Sequence, residues 1–223
     1  MLSNKLPSNY FSKFFNNLIY KQTTQQTKKF FSEKTEKKNF VLETIQNRRS
    51  TRAFKKNQVP KKQIETIINS ALLSPSSRNQ QPWRAHIVRN EKLLREIGTH
   101  IYDELSPQIP RFSERKKKLK VSETVFYDAP TVIFITMDKS RVVTDRSQMD
   151  IGIFLGMLIN SAQSLKIDSI PIGVILRKQD YIHKKLSFND NEVLKVALAL
   201  GYKDPERNIV EKKDFLSEIE WVK

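Results

Sequence analysis

One helix constrains this chain more than any other feature. Ile151, Phe154, Leu155, Leu158, Ile159, Ala162 and Leu165 recur with a helical period and form a wide apolar stripe. Ile153 and Met157 fall outside that stripe, so more than one side of the helix is covered. A helix of this kind needs a layer of other elements against it. The run Thr131–Met137, almost wholly apolar and rich in β-branched residues, predicts a buried strand. Val193–Leu200 alternates, with Leu194, Val196, Leu198 and Leu200 expected on one face and the small Ala197 and Ala199 on the other.

Shorter elements are predicted around these. Helices are expected over Val41–Arg48, around Ile64–Leu72 and from Leu93 to Ile101, and strands over Ala85–Val88 and Ile170–Leu176. The Ile64 helix must stop near Pro75, because proline removes a donor and disfavours helix in the residue before it. Ser106–Arg111, with two prolines, reads as a loop. No internal repeat is visible. The strands lie too far apart for simple βαβ units, so the expected class is α+β.

The 223 residues suffice for one domain with a real core, with an extension at the N-terminus. The absence of cysteine excludes disulfides, thiolate metal sites and thiol nucleophiles, and His86, His100 and His183 have no metal-site spacing. No apolar run approaches the ~20 residues of a membrane span. Residues 1–32 contain five lysines and no acid, and Phe11, Phe14, Phe15, Leu18 and Ile19 recur at helical spacing. Residues 1–38 are therefore expected to be an organelle transit peptide, mitochondrial or related, or else a disordered tail on a cytoplasmic protein. The folded domain is expected over 39–223.

The net charge of +16 includes the run Arg111–Lys120, with six basic residues and one acid. Such a run is a solvated helix face or loop, a lid, or a nucleic-acid or membrane contact. Aromatic residues lie in the apolar stripes and not between these charges, so stacking platforms for nucleic acid are missing.

Three polar segments sit where elements begin or end. Arg48-Arg49-Ser50-Thr51-Arg52 groups three guanidiniums and two hydroxyls, donors suited to a phosphate. Ser74–Trp83, SPSSRNQQPW, packs polar groups between two prolines at the end of an apolar helix. Ile170-Pro171-Ile172-Gly173 interrupts an apolar strand, as a backbone does beside a flat ligand or at a bulge.

In this order the segments resemble the landmarks of the nitroreductase family of FMN-dependent oxidoreductases. RRSTRAF (Arg48–Phe54), SPSSRNQQPW, MDIGIFLGMLINSAQ (Met149–Gln163) and VALALGYKDPERN (Val196–Asn208) each match one, from about Asn39 to the end. The resemblance implies an antiparallel-dominated sheet flanked by helices, an intertwined homodimer, and FMN at the subunit interface. By position, Arg49, Ser50 and Arg52, with Arg48 adjacent, would hold the FMN phosphate and ribityl chain. Pro75, Ser76, Ser77 and Asn79 would come from the other subunit. Pro171, Ile172 and Gly173 would lie beside the isoalloxazine, and Lys213, with Lys212, would reach the phosphate.

The implied reaction is ping-pong hydride transfer from NADH or NADPH through the flavin to a nitroaromatic, quinone or related small-molecule acceptor. It requires no acid–base side chain of its own. Reductive dehalogenation by a specialised member is the alternative, with the Arg111–Lys120 stretch as its lid. Several positions depart from the family pattern: Gly156 and Met157 where Gln-Asn is common, Ile172 for a polar residue, and Val210-Glu211 before Lys213. Lys166 stands where glycine is common at the end of the buried helix, a position expected to need a left-handed backbone.

Overall fold

The computed structural model describes residues 39–142, 146–207 and 220–222. The elements all lie in the compact unit Phe40–Val210. In chain order they are α1 (Phe40–Asn47), α2 (Lys61–Leu72), β1 (Trp83–Val88), α3 (Glu91–Leu105), α4 (Pro110–Leu119), β2 (Thr131–Asp138), α5 (Ser147–Ser164), β3 (Asp168–Ile172), α6 (Gln179–Leu186) and β4 (Glu192–Gly201). The strands form one antiparallel sheet in the order β1-β2-β4-β3. This is the expected α+β class. Residues 1–38 and both Lys212 and Lys213 fall outside the described residues.

Apolar cores cover the two faces of the sheet. One is built on α5 and α2, where Phe154, Leu158, Ile67 and Ala71 meet Ile133, Ile135, Leu198 and Leu200. The other is built on α3, α4 and α6, where Ile97, Ile101, Phe112 and Ile182 meet Phe134, Ala197 and Ala199.

Three expectations are corrected, and one helix is added. Leu194 shares a core with Ala197 and Ala199, not with Leu198 and Leu200. The ladder pairs Ile135 with Val196 but Thr136 with Leu194, so Lys195 bulges out and the side-chain alternation reverses there. The strand expected over Ile170–Leu176 stops at Ile172, and Val174–Lys178 turns into a 3₁₀ helix. Pro171 lacks a backbone donor, which suits an edge strand, and β3 is an edge. The expected loop at Ser106–Arg111 ends early, because Pro110 opens α4, where its missing N–H costs nothing. Helix α6 was not foreseen; it is short, and only Ile182 is buried on it.

Lys166 has φ 58°, the left-handed backbone expected of that position. Among the described residues no helix is long and apolar enough to cross a membrane, and no group of acidic or histidine side chains is placed to hold a metal ion.

Candidate functional site

The Arg48–Arg52 segment leaves α1 and runs alongside the free edge of β3. Ser50 and Ser169 form a parallel bridge, and the Thr51 backbone N–H donates to the Ser169 carbonyl at 3.2 Å. Asp168 reinforces this joint: it accepts from Thr51 Oγ1 at 3.4 Å and from the Lys203 backbone N–H at 3.0 Å. Thr51, Ala53 and Phe54 are buried, which anchors the segment and fixes where Arg52 emerges.

Arg52 lines a cavity of about 190 Å³ together with Pro171, Ile172 and Gly173, the turn that ends β3. Arg111 and Arg115 of α4 line it as well. Buried Phe112 and Leu119 fix the rotation of α4, while Lys116 lies over the Tyr102 ring at 4.4 Å from its centroid. The basic run is thus divided among different surroundings, and two of its arginines, one helical turn apart, share a cavity with the guanidinium that the RRSTR motif contributes. Arg49 does not join them. It is exposed and donates to the Gln46 and Arg48 carbonyls at 2.6 and 2.8 Å, at the end of α1. Arg48 is half-buried, and burial, followed by the neighbouring Arg49 charge, lowers its pKa below the ordinary guanidinium value.

The second polar segment is held by α5. Asp150, buried in the first turn of that helix, accepts the Ser77 backbone N–H at 3.0 Å and the Gln80 side-chain amide at 2.6 Å. Ser76 Oγ accepts the Gln81 backbone N–H at 2.9 Å. Arg78, Asn79 and Gln81 all have positive φ, between 44° and 53°. Left-handed non-glycine residues are costly, and several in one loop mark a conformation held by its surroundings for a purpose. The loop then docks through Trp83, which stacks on Phe154 with ring centroids 4.9 Å apart. Just before Pro75, the buried Ser74 hydroxyl has no hydrogen-bond partner among the described residues. A buried polar group normally has one.

These two segments do not meet within one chain. The SPSSRNQQPW loop feeds β1, and RRSTR lies against β3, at opposite edges of the sheet. Three strand spacings separate the edges, about 14 Å. The Pro171–Gly173 turn, by contrast, lies beside Arg52. One chain therefore presents the two polar segments at opposite edges of the sheet.

The sequence profile of the nitroreductase family matches residues 45–202. The chain belongs to that family. A 4-nitrobenzoate reductase of Pseudomonas putida is 26% identical over 200 residues, covering 74% of this chain and 86% of the relative. A nitroreductase of Bacteroides fragilis, solved with bound FMN, superposes with a TM-score of 0.70 at 25% identity, covering 83% of this chain and all of that one. An iodotyrosine deiodinase bound to FMN and 3-iodo-L-tyrosine shares the fold, with a TM-score of 0.65 at 21% identity over 82% of this chain and 97% of that one.

Sequence reasoning singled out both polar segments but missed the residues that hold them in place. Asp150 was legible only as an acid at the start of an apolar stripe, and Asp168 carried no signal. Arg111 and Arg115 were visible as charge, without their direction.

Proposed function

We propose that this protein is an FMN-dependent oxidoreductase that takes reducing equivalents from NADH or NADPH and works as a homodimer. The observation that carries this reading is the shared cavity of Arg52 and the Pro171–Gly173 turn, in a chain whose family includes a relative solved with FMN. The residues present fit the group. Arg52 offers a fixed guanidinium to an anionic or carbonyl oxygen. The Pro171 and Gly173 backbone is exposed, and at Gly173 a Cβ would meet nothing within 4 Å, so a flat ring system can lie against it. FMN held there would supply two-electron redox chemistry between a reduced nicotinamide and a nitroaromatic, quinone or related acceptor, in ping-pong order.

The chain's own part is to bind, orient and exclude water. Arg52, with Arg48 and Ser50 upstream, is proposed to hold the anionic end. Arg111 and Arg115 add positive charge, which favours negative charge developing near them.

The homodimer reading draws on two features. The 190 Å³ cavity of one chain falls below the roughly 300–1,000 Å³ of complete small-molecule sites. A second copy supplying Pro75, Ser76, Ser77 and Asn79 would complete it. In addition, Met149 of α5, Phe40 of α1 and Leu73 beside α2 are 67, 70 and 81% exposed. Ile153 and Met157 add to the α5 patch, and at Gly152 and Gly156 there is open space where side chains would otherwise stand. An apolar helix face of that extent, smoothed by glycines, suits a self-complementary interface.

Purified Arg52→Ala should lose bound FMN while keeping its far-ultraviolet circular dichroism; unchanged flavin content would count against the assignment. A second reading, reductive dehalogenation, draws support from the ordered helix α4 at the cavity, and turnover of halogenated phenols against quinones separates the two. Residues 1–38 are proposed to direct import into an organelle; a reporter fused to them that stays in the cytosol would refute it.

A further inference from the structure

A cavity of about 580 Å³, larger than the one beside Arg52, shares no lining residue with it. One stretch of chain forms a wall between them. Thr124, Val125 and Tyr127 line the smaller cavity, while Glu123, Phe126 and Asp128 line the larger. We propose that the larger cavity binds a small molecule carrying two or more linked phosphates, held by Lys55, Lys56 and Lys120.

The charges in this cavity divide into those already used and those left over. Arg207 is fully committed to the fold. It donates to Asp204 at 2.8 Å, to Asp128 at 3.2 Å, and to the carbonyls of Lys120 and Phe54 at 3.1 and 2.6 Å. Arg95 is paired with Glu91 at 2.9 Å. Glu123, 2% exposed, accepts the backbone N–H groups of Val125 and Phe126 and lies against α3 at Gly98. A Cβ at Gly98 would sit 2.8 Å from the Glu123 carboxyl carbon, so glycine is needed for that packing. The cavity's acids are thus neutralised by its arginines or by backbone donors.

Three lining ammonium groups remain, those of Lys55, Lys56 and Lys120, and none has an anionic partner among the described residues. They come from two separate parts of the chain. Lys55 is fixed by its backbone N–H to the Tyr202 carbonyl at 2.8 Å. Lys120 ends α4 with φ 51°, and its carbonyl is clamped by Arg207. The backbone bearing these lysines is therefore held in place, although the side chains reach into solvent. Uncompensated like charges gathered at a concavity attract a polyanion, and lysine meets phosphate as a point charge. The volume suits a nucleotide-sized molecule, and Leu94, Phe126, Ala129 and Pro130 supply an apolar wall for its non-phosphate part.

The test is calorimetric titration of the full-length, FMN-loaded protein at low ionic strength with inorganic pyrophosphate and, separately, with ADP. Both should bind. The variant Lys55→Gln/Lys56→Gln/Lys120→Gln should weaken binding at least about tenfold, with flavin content and reductase rate unchanged. The control Lys117→Gln/Lys118→Gln, which removes two exposed charges elsewhere on α4, should leave binding as it was. Tighter binding of ADP than of pyrophosphate would identify a nucleotide as the occupant, and equal binding a free polyphosphate. No binding of either probe at millimolar concentration, or equal loss in the control variant, overturns the proposal. So does loss confined to Arg52→Ala, which would assign the anion to the smaller cavity.

Discussion

Asp150 accepts the Ser77 backbone N–H at 3.0 Å, across 73 residues of sequence. This contact ties the SPSSRNQQPW loop to the most apolar helix of the fold, and the positive helix N-terminus favours the carboxylate there. Asp150→Ala leaves a partly buried donor unpaired, at a cost of roughly 1–3 kcal/mol. We expect a lower melting temperature and about tenfold weaker FMN binding, measured by flavin fluorescence. Asp150→Asn should recover part of both, because its carbonyl oxygen still accepts from Ser77.

The proposed completion of the site by a second copy has a quantitative consequence. Arg52→Ala and Asp150→Ala damage opposite halves of one chain. Chains carrying one change each, refolded together in equal amounts and assayed at a flavin concentration too low to load either variant alone, should regain about a quarter of wild-type reductase activity, because half the dimers are mixed and each has one intact site. If both halves came from the same chain, the mixture would be no more active than its components.

Lys166 occupies a left-handed backbone at φ 58°, after α5. A side chain there costs about 1–2 kcal/mol, partly offset by the greater freedom of an unfolded glycine. Lys166→Gly is expected to stabilise the protein by about 0.5–1 kcal/mol in urea unfolding, with unchanged activity.

Glu123 governs stability near neutral pH. Burial is the main cause that pushes its carboxyl from 4.5 to about 7, with the Asp128 charge adding to the rise and backbone N–H groups opposing it. Between those values the native state holds a proton that the unfolded chain has released. Its contribution to stability is full below pH 4.5 and is lost as pH rises through about 7. Glu123→Gln should flatten the decline in unfolding free energy between pH 5 and 8, a decline of order 3 kcal/mol. Asp138 acts in a different window. Its bonds to Ser140, and then to Arg84, hold its carboxyl down to about 2, so its contribution is lost as pH falls from the usual 3.8 through about 2. The two effects are separable in one pH series.

What could be read before the structure follows from the range of the interactions involved. Strands and helices with a clean period, such as β2 and α5, were legible because burial acts residue by residue along them. Lys166 was legible only through the resemblance, because relatives carry glycine at that position and glycine there signals a left-handed backbone. Leu194 was placed on the wrong face because a bulge at Lys195 is set by the partner strand. The Arg111–Lys120 run gave its charge but not its direction, which depends on Phe112 and Leu119 finding the core. Each polar segment was visible as a motif, whereas the separation of the two across the sheet is a property of strand order.

Whether this chain holds FMN can be read from the visible absorption spectrum of the full-length protein after exhaustive dialysis. The bands of oxidised flavin are expected at close to one FMN per chain. A colourless protein that takes up no added FMN would show that the chain does not hold the flavin.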